Sequence, residues 1–158
     1  MKSLLAGVLL VSSAGAGCAA HHAQAERLQV MRADSRPPTQ GSAENFTGTA
    51  VIKPLFPSNE HRHASGAHVT FEPGARTVWH SHPAGQTLVV TSGTGWVQEW
   101  GGTKQELKPG DVVWTPPGIK HWHGATATEG MAHIALQEPV DGKVVDWMDK
   151  VSEAQYRN

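Results

Sequence analysis

Short runs of alternating apolar and polar residues, each closed by Gly, Pro or Asn, recur along most of this chain. Such spacing is typical of brief β-strands joined by tight turns, and it leaves little room for long helices. The pattern predicts an all-β sandwich or jelly roll with a short C-terminal helical tail over residues 143–148 and 152–156. The predicted strands span residues 49–53, 66–71, 76–80, 86–91, 95–100, 111–115 and 131–137.

The N-terminal residues differ in kind from the rest of the chain. A lysine at position 2, an apolar run at 4–11 and Ala-Gln-Ala at 23–25 predict a signal peptide over 1–25, and therefore export to the periplasm or secretion. The apolar run is shorter than the ~20 residues that span a membrane. Lipoprotein anchoring through Cys18 is the less favoured alternative, because the preceding Gly-Ala-Gly lacks the leucine of a lipoprotein cleavage box.

Length and charge limit what the remaining residues can do. Residues 26–45 are polar, have no periodic pattern and are predicted to form an N-terminal arm. Residues 46–158 are long enough for a single domain with its own core. Because the formal net charge is −1 and no cluster of Lys and Arg is present, nothing indicates a nucleic-acid partner. We expect a small-molecule substrate and no integral membrane span.

Two His-X-His pairs carry the strongest chemical signal. His80 and His82 lie on a predicted strand, where side chains two residues apart share a face about 6.6 Å apart. A Pro-Ala-Gly turn follows, so Gln86 can return toward them as a third ligand. A fourth comes from the second pair, His121 and His123. Imidazole suits Mn, Fe, Co, Ni, Cu and Zn, so the pattern predicts one divalent metal, and ordinary surface or core histidines are the weaker interpretation.

The strand predicted over 131–137 has two unlike faces. Ala132, Ile134 and Leu136 form an apolar face, and His133 and Gln137 lie on the other. If this second face lines the interior near the metal, His133 is a candidate proton-transfer group and Gln137 a pocket amide. If it faces water, both are ordinary polar residues.

The other histidines and the tryptophans are given structural roles. His61 and His63 lie among polar residues, which favours a solvated turn over a second metal site, and His68 is expected to face away from the pocket. Large aromatic side chains are mostly buried, so five tryptophans are predicted to lie in the core or at an interface. These are Trp79, Trp96, Trp100, Trp114 and Trp122.

The histidine segments match the two sequence motifs of the cupins. The first motif is met with Gln in place of the usual Glu, and the second ends in Ala125 instead of Asn. The chain therefore resembles the cupins, which implies a jelly-roll barrel, also called a double-stranded β-helix. The matching positions are Gly74, His80, His82, Gln86 and Gly93 in the first motif, and Gly110, Pro116, Gly118 and His121 in the second.

A narrower resemblance runs from about Phe46 to the C-terminus. Trp-His-Ser-His-Pro-Ala-Gly-Gln-Thr-Leu at 79–88, Lys-His-Trp-His-Gly at 120–124 and the tail at 141–148 resemble small bacterial single-domain cupins, the manganese-dependent (R)-hydroxynitrile lyases. This resemblance implies a homodimer or homotetramer and a manganese ion, with Fe, Zn, Ni and Co also compatible with the ligands. It implies the metal ligands His80, His82, Gln86 and His121, the base His133, and a substrate pocket containing Ala67, Val69 and Gln137. His123 is added to the pocket because it shares a strand face with His121.

The expected activity is cleavage or formation of small cyanohydrins, with the metal as Lewis acid and His133 as base. Three neutral imidazoles and one neutral amide leave the charge of a dication uncompensated, which favours Lewis-acid chemistry. A metal-dependent dioxygenase or oxidase ranks second, because the missing carboxylate removes an anionic ligand that would stabilise an oxidised ion. A cupin that binds a ligand without turning it over is the third interpretation.

Overall fold

The computed structural model describes residues 27–158, so the predicted signal peptide and Cys18 lie outside the described residues. Within this range, no helix is long and apolar enough to cross a membrane. A 3-10 turn at Ala33–Ser35 comes first. The elements that follow are β1 (Thr39–Gln40), β2 (Phe46–Thr47), β3 (Ala50–Phe56), β4 (Ser65–Phe71), β5 (Arg76–Thr77), β6 (His80–Ser81), β7 (Gln86–Gly93), β8 (Gly95–Glu99), β9 (Gln105–Leu107), β10 (Val112–Thr115), β11 (His121–Ala125), β12 (Met131–Gln137), β13 (Asp146–Trp147) and α1 (Glu153–Arg157).

The strands form two antiparallel sheets, which confirms the all-β jelly-roll prediction. One sheet has six strands in the order β1-β3-β4-β12-β7-β10. The other has the order β13-β6-β11-β5-β2, with β8 joined to β11 and β9 joined to β8. Strand β1 belongs to the segment predicted as a polar arm, and it pairs with β3 at the edge of the six-stranded sheet. Arg36 strengthens this attachment by donating from Nη1 to the carbonyl of Pro54 at 2.8 Å.

The strand predicted over 76–80 is divided into β5 and β6. The break falls at Val78 and Trp79, whose backbone N–H groups donate to the carbonyls of Asn45 at 2.9 Å and Asp149 at 3.0 Å. Both acceptors belong to segments outside β11, the partner that β5 and β6 share. Because these residues bond elsewhere, the ladder is interrupted and then resumes at His80.

The helix predicted over 143–148 is wrong, and the helix predicted over 152–156 is confirmed. Residues 146–147 form β13, which pairs with β6 through Asp146 opposite Ser81, so this part of the tail takes its backbone partner from a neighbouring strand. Helix α1 starts after Ser152 in a capping box: the Ser152 side chain accepts from the backbone N–H of Gln155, and the Gln155 side chain accepts from that of Ser152.

Two apolar clusters hold the sheets and the tail together. Trp79 and Trp122 are buried beneath α1 with Val151 and Tyr156, as predicted for core aromatics, whereas Trp100 and Trp114 are exposed. The main cluster packs inside the barrel, and full burial of each large side chain contributes about 1.5–3 kcal/mol. Its members are Phe46, Ala50, Val69, Phe71, Ala75, Val90, Val97, Leu107, Ala125 and Met131.

Candidate metal centre and adjoining cavity

Three buried histidines converge where β6 pairs with β11. His121 lies opposite His80 in the strand pairing, and His82 follows two residues after His80, so that its side chain returns to the same face. Their ligand atoms all lie within 4.8 Å of one another, and this is the single His, Cys, Asp or Glu group of that kind among residues 27–158. The three side chains are therefore positioned to bind one metal ion.

Backbone carbonyls fix the orientation of all three rings. Each ring donates from Nδ1–H to a carbonyl, and a neutral imidazole that donates from Nδ1 carries its lone pair on Nε2. Nε2 of His82 is buried and has no hydrogen-bond partner. Such outer contacts hold histidines in the form that binds metals. The bonds join His80 to Val78 at 2.9 Å, His82 to Val144 at 2.6 Å and His121 to Ile119 at 3.0 Å.

The side-chain amide of Gln86 reaches the same cluster from the start of β7. Its Oε1 lies 3.3 Å from Nε2 of His121, and its Nε2 donates to Oε1 of Gln137 at 3.4 Å. Because the proton of His121 is on Nδ1, the two facing atoms are both electron-pair donors. Buried donors of this kind need a partner, and a shared cation satisfies both. The donor set therefore fits a divalent first-row metal ion, with Gln86 beside the three histidines.

Burial keeps the histidines in the neutral form that binds metals. It lowers the pKa of His80 well below the usual value, and the nearby ring of His121 lowers it further. Burial also lowers the pKa of His82 and brings the pKa of His121 to about 4. At neutral pH none of the three carries a proton that would have to leave before a metal could bind.

A second histidine pair lies beside the cluster. Nε2 of His133 is 3.2 Å from Nδ1 of His123, and both side chains are buried. Nδ1 of His133 and Nε2 of His123 have no hydrogen-bond partner. Burial lowers the pKa of His133 to about 3 and that of His123 well below its usual value. The neutral rings therefore share one hydrogen bond, and one of the two outer nitrogens keeps a free lone pair.

A cavity of about 130 Å³ brings the predicted site residues together. The predicted pocket residues Ala67, Val69, His123 and Gln137 all line it, as does His133. Of the predicted metal ligands, His80, His82 and Gln86 also line it, and His121 lies next to Gln86. Six lining residues were missed by the sequence analysis, namely Phe46, Ile52, Thr77, Ala135, Val145 and Trp147. For Val145 and Trp147, the resemblance at residues 141–148 was the available signal. Because a helix was predicted over residues 143–148, neither residue was assigned to the cavity.

The other three histidines in the part of the chain that the structure describes lie away from the cavity, as expected. His61 and His63 are exposed in a turn where Oδ1 of Asn59 accepts from the backbone N–H groups of His61 at 3.0 Å and Arg62 at 2.6 Å. His68 points to the other face of β4, where its Nε2 lies 3.1 Å from Oγ1 of Thr91.

The fold agrees with comparisons to known proteins. Residues 67–136 match the family model of the cupin domain. The chain resembles a cupin-like protein from Thermotoga maritima, with a TM-score of 0.71 and 44% identity over 75% of this chain and 90% of that one. It also shares the fold of a cupin-2 domain from Rhodospirillum rubrum, with a TM-score of 0.63 and 18% identity over 80% of this chain and 82% of that one.

One curated relative is closer in sequence. The (R)-mandelonitrile lyase of Granulicella tundricola is 55% identical over 130 residues, which cover 82% of this chain and 99% of the relative. The aligned length therefore spans nearly the whole of that enzyme. The chain belongs to the cupin family, among the small cupins that are like (R)-mandelonitrile lyase.

Proposed function

We propose that this chain is a metal-dependent lyase that cleaves small cyanohydrins to an aldehyde and hydrogen cyanide, and forms them in the reverse direction. One observation carries the proposal. A neutral, buried His133 lines the same cavity as the metal-binding cluster, in a chain 55% identical to an (R)-mandelonitrile lyase. A base next to a Lewis-acid site is what removal of a hydroxyl proton requires.

The cavity has surfaces suited to both ends of a small hydroxynitrile. Ala67, Val69 and Phe46 provide apolar contacts for the organic substituent. His133 and Gln137 lie on β12, the strand paired with β4, and present their polar side chains to the hydroxyl and nitrile groups of the substrate. The mostly apolar lining limits the water that the cavity holds, which strengthens each polar contact that remains.

The ion in this proposal is manganese, held by His80, His82, His121 and Gln86. When bound, it would supply Lewis-acid polarisation of a substrate oxygen or nitrogen and positive charge near the departing cyanide. The protein ligands are all neutral, so they would leave that charge uncompensated. Iron, zinc, nickel and cobalt are compatible with the same donors.

His133 moves the proton in this scheme. His133 donates its Nε2–H to Nδ1 of His123, so Nδ1 of its neutral ring carries the free lone pair. This atom accepts the hydroxyl proton of the cyanohydrin as the bond between the carbinol carbon and the nitrile carbon breaks. The electron pair of that bond leaves with cyanide, and the oxygen becomes the aldehyde carbonyl. A charged imidazole is unfavourable in this buried position, so the ring returns the proton to cyanide, and hydrogen cyanide leaves. His123 keeps the ring in place through their shared hydrogen bond.

The test is cleavage of (R)-mandelonitrile by the full chain, followed through release of benzaldehyde. Chelation should abolish cleavage and added Mn²⁺ should restore it. His133→Ala should lower kcat by about 10²-fold to 10⁴-fold, the usual contribution of a general base, while the metal content stays unchanged. His63→Ala is the matched control, because His63 is an exposed histidine outside the cavity. Undiminished cleavage by the His133→Ala enzyme would remove the base from the proposal.

The same preparation separates this activity from the other two interpretations. A lyase consumes no oxygen, so an oxygen electrode should record no uptake during cleavage. Uptake with phenolic or diketone substrates and no mandelonitrile cleavage would favour a dioxygenase or oxidase. Tight binding of a cyanohydrin without release of aldehyde, under any of the compatible metals, would favour a binding protein.

A further inference from the structure

The tail segment from Lys143 to Met148, here called the strap, is bound to the metal centre by the metal-binding histidines themselves. The carbonyl of Val144 accepts the Nδ1–H of His82 at 2.6 Å. Trp147 lies opposite His80 in the β13–β6 pairing, and the centroids of their rings are 5.1 Å apart. Two of the three clustered histidines therefore contact the strap directly.

The rest of the strap is lightly held. Its strand has two residues and pairs only with β6, and the backbone N–H of Met148 donates to the carbonyl of Trp79 at 2.9 Å. Its ion pair between Lys143 and Asp146 is internal to the segment and exposed. Trp147 and Met148 are 41% and 39% exposed. Segments with short ladders and exposed contacts open locally at small free-energy cost. Together with this short ladder and the packing of Trp147 against Phe46, the contacts to His82 and His80 keep the strap docked.

We propose that docking of the strap and binding of the metal are coupled, with the carbonyl of Val144 as a positioning group for His82. When Nε2 of His82 is engaged by a cation, its Nδ1–H becomes a stronger donor, and the bond to Val144 becomes charge-assisted. The docked carbonyl in turn holds His82 with its lone pair on Nε2. Coupling of this kind is reciprocal: the metal stabilises the strap by the same factor by which the strap raises metal affinity.

This coupling has a consequence for the cavity. Val145 and Trp147 are the two strap residues that line it. A strap that undocks when the metal is absent removes that wall and exposes the cavity to solvent. The metal-loaded protein therefore keeps this wall of the cavity in place for a larger fraction of the time. This inference rests on the metal site of the proposed function, and it is independent of the lyase reaction.

Hydrogen exchange of the full chain tests the first half of the coupling. Amides of residues 143–149 should exchange at least about tenfold more slowly with saturating Mn²⁺ alone than in the chelated protein, as expected for a coupled local opening. The turn at residues 101–104, which lies beyond the residue paired with His121, is the internal reference, and its Gly102 N–H donates to the carbonyl of Glu99. Slowing confined to the strap supports the coupling.

A matched pair of glycine substitutions tests the second half. Gly142, at the start of the strap, and Gly101, in the reference turn, have φ of 78° and 79°, and an added Cβ meets nothing within 4 Å at either position. Alanine is disfavoured equally in both conformations, so Gly142→Ala and Gly101→Ala should lower Tm by similar amounts. Only Gly142→Ala strains the docked strap, and it should raise the Kd for Mn²⁺ about fivefold to tenfold, whereas Gly101→Ala should change the Kd less than about twofold.

The outcomes separate this inference from the metal site. Tight Mn²⁺ binding with unchanged exchange in the strap would overturn the coupling and leave the metal site intact. Equal Kd values for the two alanine variants would overturn it as well. A wild-type chain that binds no Mn²⁺ would overturn the metal site and the coupling together.

Discussion

His121 lies directly opposite His80 in the β6–β11 pairing, and the centroids of their rings are 4.2 Å apart. Opposed residues of an antiparallel pair project from the same face, so the strand register alone brings these two rings together. A shift by one residue would turn one ring to the other face. On its other edge β11 pairs along five residues with β8, where His121 faces Glu99, so β11 is held on both sides. The histidine cluster is therefore built into the hydrogen-bond ladder.

Removal of one clustered histidine should abolish stable metal binding. We expect His121→Ala to lower Mn²⁺ affinity by more than about a hundredfold, since loss of even an outer-shell partner costs ten- to a hundredfold. Elemental analysis after dialysis against a weak chelator measures the retained metal. His123→Ala is the matched control, because His123 shares the strand face but lies outside the cluster. Equal metal content in both variants would contradict the assignment.

The amide of Gln137 should orient Gln86 for metal binding. Its Oε1 accepts from Nε2 of Gln86 at 3.4 Å, which leaves Oε1 of Gln86 facing the cluster. Gln137→Leu removes the acceptor and frees the amide to rotate. A hydrogen bond contributes about 0.5–1.5 kcal/mol, so the Kd for Mn²⁺ should rise about threefold to tenfold. Calorimetric titration measures this change.

A conservative variant shows whether the acceptor itself is responsible. Gln137→Glu keeps an oxygen at this position and should bind Mn²⁺ at least as tightly as the wild type, because its carboxylate accepts more strongly and adds negative charge nearby. The orienting role would be refuted by a Gln137→Leu protein whose Kd matches that of the wild type.

Much of the fold could be predicted because its signals are local. Alternation over residues 86–91 and 131–137 predicted β7 and β12, and the capping pattern at Ser152 predicted α1. The placement of His80 and His82 on one face could be predicted in the same way, since strand geometry fixes the face that each side chain takes. Their convergence with His121 came from the motif resemblance, because register between distant strands has no local signal.

The strap was missed for a physical reason. A two-residue strand has no periodicity to detect, and β13 exists because β6 offers it a partner. The group that orients His82 is the carbonyl of Val144, and every residue type carries such a carbonyl. The division of the strand over 76–80 likewise depends on acceptors at Asn45 and Asp149, which tertiary structure alone brings near.

Phe71, which packs against both His133 and His123, should contribute strongly to the stability of the fold. Its side chain is 1% exposed, and its ring centroid lies 5.7 Å from that of His133 and 5.9 Å from that of His123. Phe71→Ala should lower the free energy of unfolding by about 3–5 kcal/mol, the usual cost of emptying such a site. Denaturant unfolding measures this loss. Phe56→Ala is the control, since Phe56 is only half-buried at the sheet edge and should cost less than half as much.

The ion pair between Arg76 and Glu153 should make stability depend on pH. Nη2 of Arg76 donates to Oε1 of Glu153 at 2.6 Å, and this bond and the charge of Arg76 lower the pKa of Glu153. In the unfolded chain that pKa is about 4.3. The carboxylate therefore stabilises the fold above this value, and this stabilisation is lost as pH falls through the lower folded-state pKa.

Glu153→Gln should reduce Tm at pH 7, and the difference in Tm from the wild type should shrink progressively below about pH 4. Glu106→Gln breaks an exposed pair with Lys108 and should change Tm little at any pH. The prediction would be contradicted if the difference in Tm between the wild type and Glu153→Gln stayed constant down to full protonation of Glu153. That result would show that the charge of the carboxylate does not contribute to its bond with Arg76.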